Sequence, residues 1–313
     1  MGIPKDRPLA LIILDGWGHS ARSEGNAIAL AHTPYYDDVC ARFPKTTLTA
    51  SGIRVGQSPE SAGNPEVGHV SIGTGRPATS ESFRIEDAIQ SGSFFENEAL
   101  THAFAQAFSN GRPVHLIGML SDAGVHSSIE TIFGLLRMAK RFGVTDVFIH
   151  GILDGVDVPN RTADIYVEAL EIKLADIGVG RIATLCGRYF AMDSQGNWER
   201  TARAYTMLVH AEGDRSEDAV SAIRNSFLRG ITDEFTAPIV LETELGTPVA
   251  RITEGDTIIY FNHRAESMRQ LVRSLSVPDA LGSAKPTFNS VCMTEYDQDF
   301  GLSVAFRSER SSN

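Results

Sequence analysis

The side chains that could do chemistry fall in short motifs placed just after apolar runs. In Leu14-Asp15-Gly16-Trp17-Gly18 the carboxylate of Asp15 can ligate a divalent metal. An aspartate before glycine also suits a plain turn. Ser121-Asp122-Ala123-Gly124-Val125-His126 is a glycine-containing loop ending in a histidine, which can either act on a ligand or satisfy the fold. Leu153-Asp154-Gly155-Val156-Asp157, Gly187-Arg188-Tyr189-Phe190-Ala191-Met192-Asp193 and Phe261-Asn262-His263-Arg264 repeat the placement with carboxylates and arginines. Gly63-Asn64-Pro65-Glu66-Val67-Gly68-His69 is different, because Pro65 has neither a hydroxyl to serve as a nucleophile nor an N–H to hold an anion. Gly178-Val179-Gly180-Arg181-Ile182-Ala183 fits a loose dinucleotide pattern, but it precedes a strand instead of opening a helix, so that reading fails.

The elements that must position these residues alternate. Leu9 to Leu14 is an uninterrupted apolar run, as expected of a parallel strand buried on both faces. Thr46 to Ala50 is a second strand candidate, and Gly52 to Gly75 is rich in glycine, serine and proline. From Ser82 onward the spacing predicts strands at Val114–Gly118, Asp146–Gly151, Arg181–Cys186 and Thr257–Phe261. It predicts helices at Ile129–Arg141, Thr162–Leu174, Trp198–Ala211, Ser216–Leu228 and Ala265–Leu275. This βαβ succession implies an α/β fold with a mostly parallel sheet, in which ligands bind at the carboxyl ends of strands.

At 313 residues the chain can bury one large or two ordinary cores, and 42% hydrophobic with 21% charged residues is a globular composition. A net charge of −11 argues against a nucleic-acid surface, although a local arginine cluster can still meet a small anion. Cys40, Cys186 and Cys292 are far apart and read as reduced thiols. No signal-peptide core and no membrane span is evident, which makes the cytoplasm the expected compartment.

Taken in order, Asp15, Asn26-Ala27-Ile28, Thr33-Pro34, Ala50-Ser51-Gly52 and Gly63 to His69 resemble the cofactor-independent (2,3-bisphosphoglycerate-independent) phosphoglycerate mutases of the alkaline-phosphatase-like superfamily. The later motifs follow the same family, to Met293-Thr294-Glu295-Tyr296-Asp297. The resemblance implies a partial alkaline-phosphatase-like metal segment (1–78), a transferase-type substrate domain (79–300) and a polar tail (301–313). It implies that Pro65 stands where the family has its phosphoryl-carrying serine, and that the position of Asp15 ligates one of two manganese ions. Ser58 and Ser61 lie on the wrong side of the Gly63 turn to replace that serine. His126, Asp157, Arg188 and Arg264 fall at substrate-contacting positions, whereas Val156, Ser194 and Ser267 each stand in place of a family arginine. Three such losses amount to roughly 4–9 kcal/mol if each charge-assisted bond is worth about 1.5–3.

The resemblance covers nearly all of this chain but about three-fifths of the family's length, and the Asp/His metal ligands fall in the remainder. Asp15 alone is not expected to hold manganese stably, and residues 1 to about 78 are expected to be poorly packed unless another polypeptide covers them. Three readings stay open on the sequence. The chain binds a phosphoglycerate-like anion, without turnover or with a second chain supplying the metal half. It is a repurposed enzyme moving a phosphoryl or phosphonyl group on a glycerate-type substrate. Or it is an inactive remnant.

Overall fold

The computed structural model describes residues 8–58, 63, 65–277 and 286–307, with the backbone alone at Pro65 and Glu66. Ser61, Asn64 and the last six residues of the tail lie outside the described residues. Two compact units divide the chain, Met1–Thr79 and Ser80–Asn313.

The first unit holds α1 (Ala27–Leu30), α2 (Pro34–Arg42) and α3 (Pro65–Thr74). The side chain of Asn26 caps α1 by accepting from the Ala29 N–H, and Pro34 opens α2. Pro65 is the first residue of α3, where a missing N–H costs the helix nothing. Leu9 to Leu14 and Thr46 to Ala50, expected as strands, form none. A strand needs a neighbour for its backbone ladder, and no strand partner exists for them among the described residues of this unit. Leu9 is 84% and Ile12 80% exposed. Asp15, expected at a strand end, lies instead in an exposed turn closed by Trp17 N–H donating to the Leu14 carbonyl, with Gly16 at φ +75°. Each large aliphatic side chain left in water forgoes about 1.5–3 kcal/mol of burial. Limited proteolysis should therefore cut within residues 8–50 well before it cuts the second unit, and equal resistance of the two would contradict this picture.

The second unit is an α/β layer structure. Ser80 and Asn97 cap α4 (Glu81–Ser91) and α5 (Glu98–Asn110). There follow β1 (Val114–Leu120), α6 (Ile129–Phe142), β2 (Val147–Leu153), α7 (Ala163–Ile177) and β3 (Arg181–Gly187). Next come α8 (Arg188–Ala191), α9 (Trp198–His210), β4 (Asp214–Ser216), α10 (Ala219–Leu228) and β5 (Ile239–Leu241). The unit closes with β6 (Thr257–Tyr260), α11 (Arg269–Ser276), β7 (Asn289–Thr294) and β8 (Ser303–Phe306). The strand order is β4-β5-β3-β2-β1-β6-β7-β8, parallel throughout except where β5 meets β3. Strands β1 and β2 are buried along their whole length because helices cover both faces. One face is covered by α4, α5, α6, α7 and α10, the other by α8, α9 and α11.

Ser303–Phe306, placed in a polar tail by the sequence reading, pair with β7 as the edge strand β8. That edge is capped by side chains, with Asn97 Nδ2 donating to the Ala305 carbonyl at 2.7 Å and Arg84 Nη1 to that of Arg307 at 2.9 Å. α11 begins at Arg269, not Ala265, because the intervening residues form a turn. No helix among the described residues is long and apolar enough to cross a membrane.

A polar chain also runs through the sheet interior. His150 Nδ1 lies 2.8 Å from Thr184 Oγ1, His150 Nε2 2.9 Å from His115 Nδ1, and His115 Nε2 3.2 Å from Asp256 Oδ2. Burial, then the neighbouring His115, holds the His150 pKa well below the ordinary histidine value.

Candidate ligand site at the β1–β6 crevice

From β1 the chain winds outward through β2 and β3, then returns to place β6 and β7 on the other side of β1. The order thus reverses between β1 and β6, and ligands of open α/β sheets bind outside the carboxyl ends of strands at such a point. The loops leaving β1 and β6 meet there. The His263 N–H donates to the His126 carbonyl at 2.7 Å, and His263 Nε2 lies 3.2 Å from the Val125 carbonyl. Burial pushes the His263 pKa down to about 4, with Arg264 adding to the effect and the loop carbonyls opposing it.

Arg188 enters from the end of β3. Gly187 makes this entry possible, since a Cβ there would lie 2.0 Å from the Glu234 carbonyl oxygen. The guanidinium then spans three loops. Its Nη1 donates to Asp154 Oδ1 at 2.7 Å and to Asp157 Oδ2 at 2.5 Å, and its Nη2 lies 2.9 Å from His126 Nε2. Since a guanidinium can only donate, His126 Nε2 carries a lone pair. The imidazole proton therefore sits on Nδ1, which donates to Ser267 Oγ at 2.9 Å, and that hydroxyl donates onward to the Arg264 carbonyl at 3.2 Å. Burial, then the Arg188 charge, pushes the His126 pKa down to about 4, outweighing Asp157 only 3.5 Å away. His126 is neutral at pH 7, and its approach to Asp157 is not an ion pair.

Asp154 is 1% exposed and fully engaged. Ser121 Oγ donates to its Oδ2 at 2.8 Å, while the Val156 and Asp157 N–H groups donate to Oδ1 at 3.1 and 3.0 Å. Burial raises its pKa, but these bonds and Arg188 together more than reverse that, leaving it below the usual carboxylate value. Next to the site, Asp193 accepts from Gln195, Asn197 and Arg200 and so fixes the loop bearing Ser194.

Of the residues singled out by sequence, His126, Asp157 and Arg188 converge directly. Arg264 joins through its backbone, but its guanidinium is half exposed and faces Glu266 at 3.8 Å. Asp15 and Pro65 belong to the other unit. Asp154, Ser121 and the partnership of Ser267 with His126 were not singled out. The signal for Asp154 is its place in the Leu153–Asp157 motif directly after an apolar run, where its Asp-Gly pair is explained equally well by a turn. Val156, where the resemblance implies an arginine, is exposed. The group Asp154, Asp157, Arg188 and neutral His126 carries a net charge of −1, which Arg264 brings to zero, so the crevice is no strong positive trap. Among the described residues no three His, Cys, Asp or Glu side chains gather as a metal site would require. The manganese implied by the resemblance does not fit the donors described.

A family model described as the BPG-independent PGAM N-terminus (iPGM_N) matches residues 85–298. A 2,3-bisphosphoglycerate-independent phosphoglycerate mutase of Desulforudis audaxviator is 44% identical over 310 residues, covering 98% of this chain and 61% of that protein. Its counterpart in Moorella thermoacetica is 45% identical over 310 residues, with 98% and 60% covered. A crystal structure of Leishmania mexicana phosphoglycerate mutase at low cobalt concentration matches with a TM-score of 0.76 and 28% identity, over 88% of this chain and 52% of that one. The chain spans about three-fifths of the length of the curated relatives it matches. With more than half of its residues inside the family model, the chain belongs to the BPG-independent phosphoglycerate mutase N-terminus family.

Proposed function

We propose that residues 80–307 hold a small glycerate-type anion of the phosphoglycerate class, and that this chain does not interconvert phosphoglycerates by itself. The observation that carries the binding role is the convergence of His126, Asp157 and Arg188 at the switch point of the sheet. Arg188 is 16% exposed, and its Nε–H and second Nη2–H have no partner among the described residues, so they remain for a ligand oxygen. Asp157 and the backbone-held loop of Arg264 offer an acceptor and a second cation for a hydroxyl and a carboxylate. The absence of turnover follows from Pro65, which offers no oxygen at the position where the family resemblance implies the transferring serine.

Transfer chemistry would need a metal-bearing polypeptide beyond these 313 residues, on the same or another chain. Support for such a partner is the exposed apolar run Leu9–Leu14, which has the pattern of an interior strand without neighbours. The three unpaired cysteines fit a reducing, cytoplasmic setting.

Calorimetric titration with 3-phosphoglycerate, 2-phosphoglycerate and D-glycerate, beside a coupled mutase assay with manganese, tests the reading. Saturable binding without turnover is expected, as is the absence of turnover in Pro65→Ser. Turnover by either protein, or no binding of any of the three acids, would overturn it.

A further inference from the structure

Asp154 has no route to a ligand, yet it ties together the loops that follow β1, β2 and β3. Its Oδ2 is held by Ser121 at the end of β1, and its Oδ1 by the two backbone amides after β2. That same Oδ1 receives Arg188 Nη1 from the end of β3. Nη1 is thus anchored at two points, Asp154 and Asp157. Because the guanidinium is planar and rigid, two anchors on Nη1 also fix the direction of Nη2, which points at His126 Nε2.

We propose that Asp154 is a positioning residue: through Arg188 it holds His126 in the Nδ1–H form and turns the remaining Arg188 donors toward the ligand. This rests on the reading of the crevice as the ligand site. Two features separate the role from that of a simple turn former. The backbone amides and Ser121 would hold the turn with any acceptor at this position, whereas a full negative charge here adds a second ion pair, beside that of Asp157, to the half-buried Arg188. The hydrogen-bond directions from Arg188 through His126 to Ser267 also form one unbroken donor series, which fails if Nη2 moves away.

Asp154→Asn tests it. The amide oxygen can still accept from the Val156 and Asp157 N–H groups, and the amide nitrogen can donate to Ser121, so the turn keeps its bonds. Long-range nitrogen–carbon NMR of the imidazoles reads the tautomer directly. Wild-type protein should show His126 as Nδ1–H, and Asp154→Asn should show a mixture or the Nε2–H form. Affinity for 3-phosphoglycerate should fall about tenfold or more, the loss of one charge-assisted contact.

A variant that keeps the pure Nδ1–H signature would overturn the proposal. So would an Nε2–H signature in wild-type protein, which decides the matter even if the variant does not fold. Failure of wild-type protein to bind 3-phosphoglycerate would instead count against the ligand reading, since the tautomer measurement needs no ligand.

Discussion

Lowering the pH from about 7 to about 4 should remove roughly 6 kcal/mol of stability from the second unit through two histidines alone. His126 and His263 are both held down to about 4, chiefly by burial. The unfolded chain protonates each near 6.5, so below that pH it binds protons that the native state refuses. The folded state keeps its full advantage above about pH 6.5 and loses it as pH falls toward about 4, at about 3 kcal/mol for each group. His150, also held down by burial, acts in the same direction. A loss of this size is a large part of the 5–15 kcal/mol that typically separates native from unfolded states. Denaturant unfolding followed by circular dichroism at several pH values checks the slope. A transition midpoint that does not move between about pH 7 and about pH 5 would contradict the assignment of neutral, buried imidazoles.

Arg188→Ala should cost about 3–5 kcal/mol, because it leaves the carboxylate of Asp154 buried without its charge partner. Three hydrogen bonds to Asp154 survive the change and temper the loss. In a unit of this size the shift corresponds to a drop of roughly 10 °C in Tm. The same variant should abolish binding of 3-phosphoglycerate, since the donors offered to the ligand go with the side chain. Adding Asp154→Ala to Arg188→Ala should recover part of the stability but none of the binding. That pattern distinguishes a stranded charge from a lost packing contact. A Tm within about a degree of the wild-type value would rule out the buried-pair account.

Much of the second unit is legible in the sequence because its central strands are continuous apolar runs and its helices carry clear caps. Strands β1, β2, β3 and β6 fall where the apolar runs place them. Three-residue strands such as β4, Asp214–Ser216, carry no such pattern, since their place is set by pairing with β5. The first unit misleads for the opposite reason. Leu9 to Leu14 has the pattern of an interior strand, but pattern becomes structure only when a partner strand is present. At the site, charged residues with an open face were legible as motifs. The engagement of Asp154 was not, because its partners are two backbone amides, a serine just after β1 and an arginine 34 residues away.

The imidazole pair inside the sheet bears on register. A strand that slips by two residues keeps every side chain on its original face, so apolar burial alone barely opposes such an error. In the runs Val114–Leu120 and Val147–Leu153, nearly every position is apolar or glycine, so hydrophobicity alone does not mark the register, although Gly118 and Gly151 leave no room for a Cβ against Phe261 and Leu120. Thr184, His150, His115 and Asp256 link three strands and the residue just before β6. Moving any one strand breaks at least one link and strands buried polar atoms at about 1–3 kcal/mol each. The network therefore adds a polar mark for one alignment to the steric mark set by the two glycines.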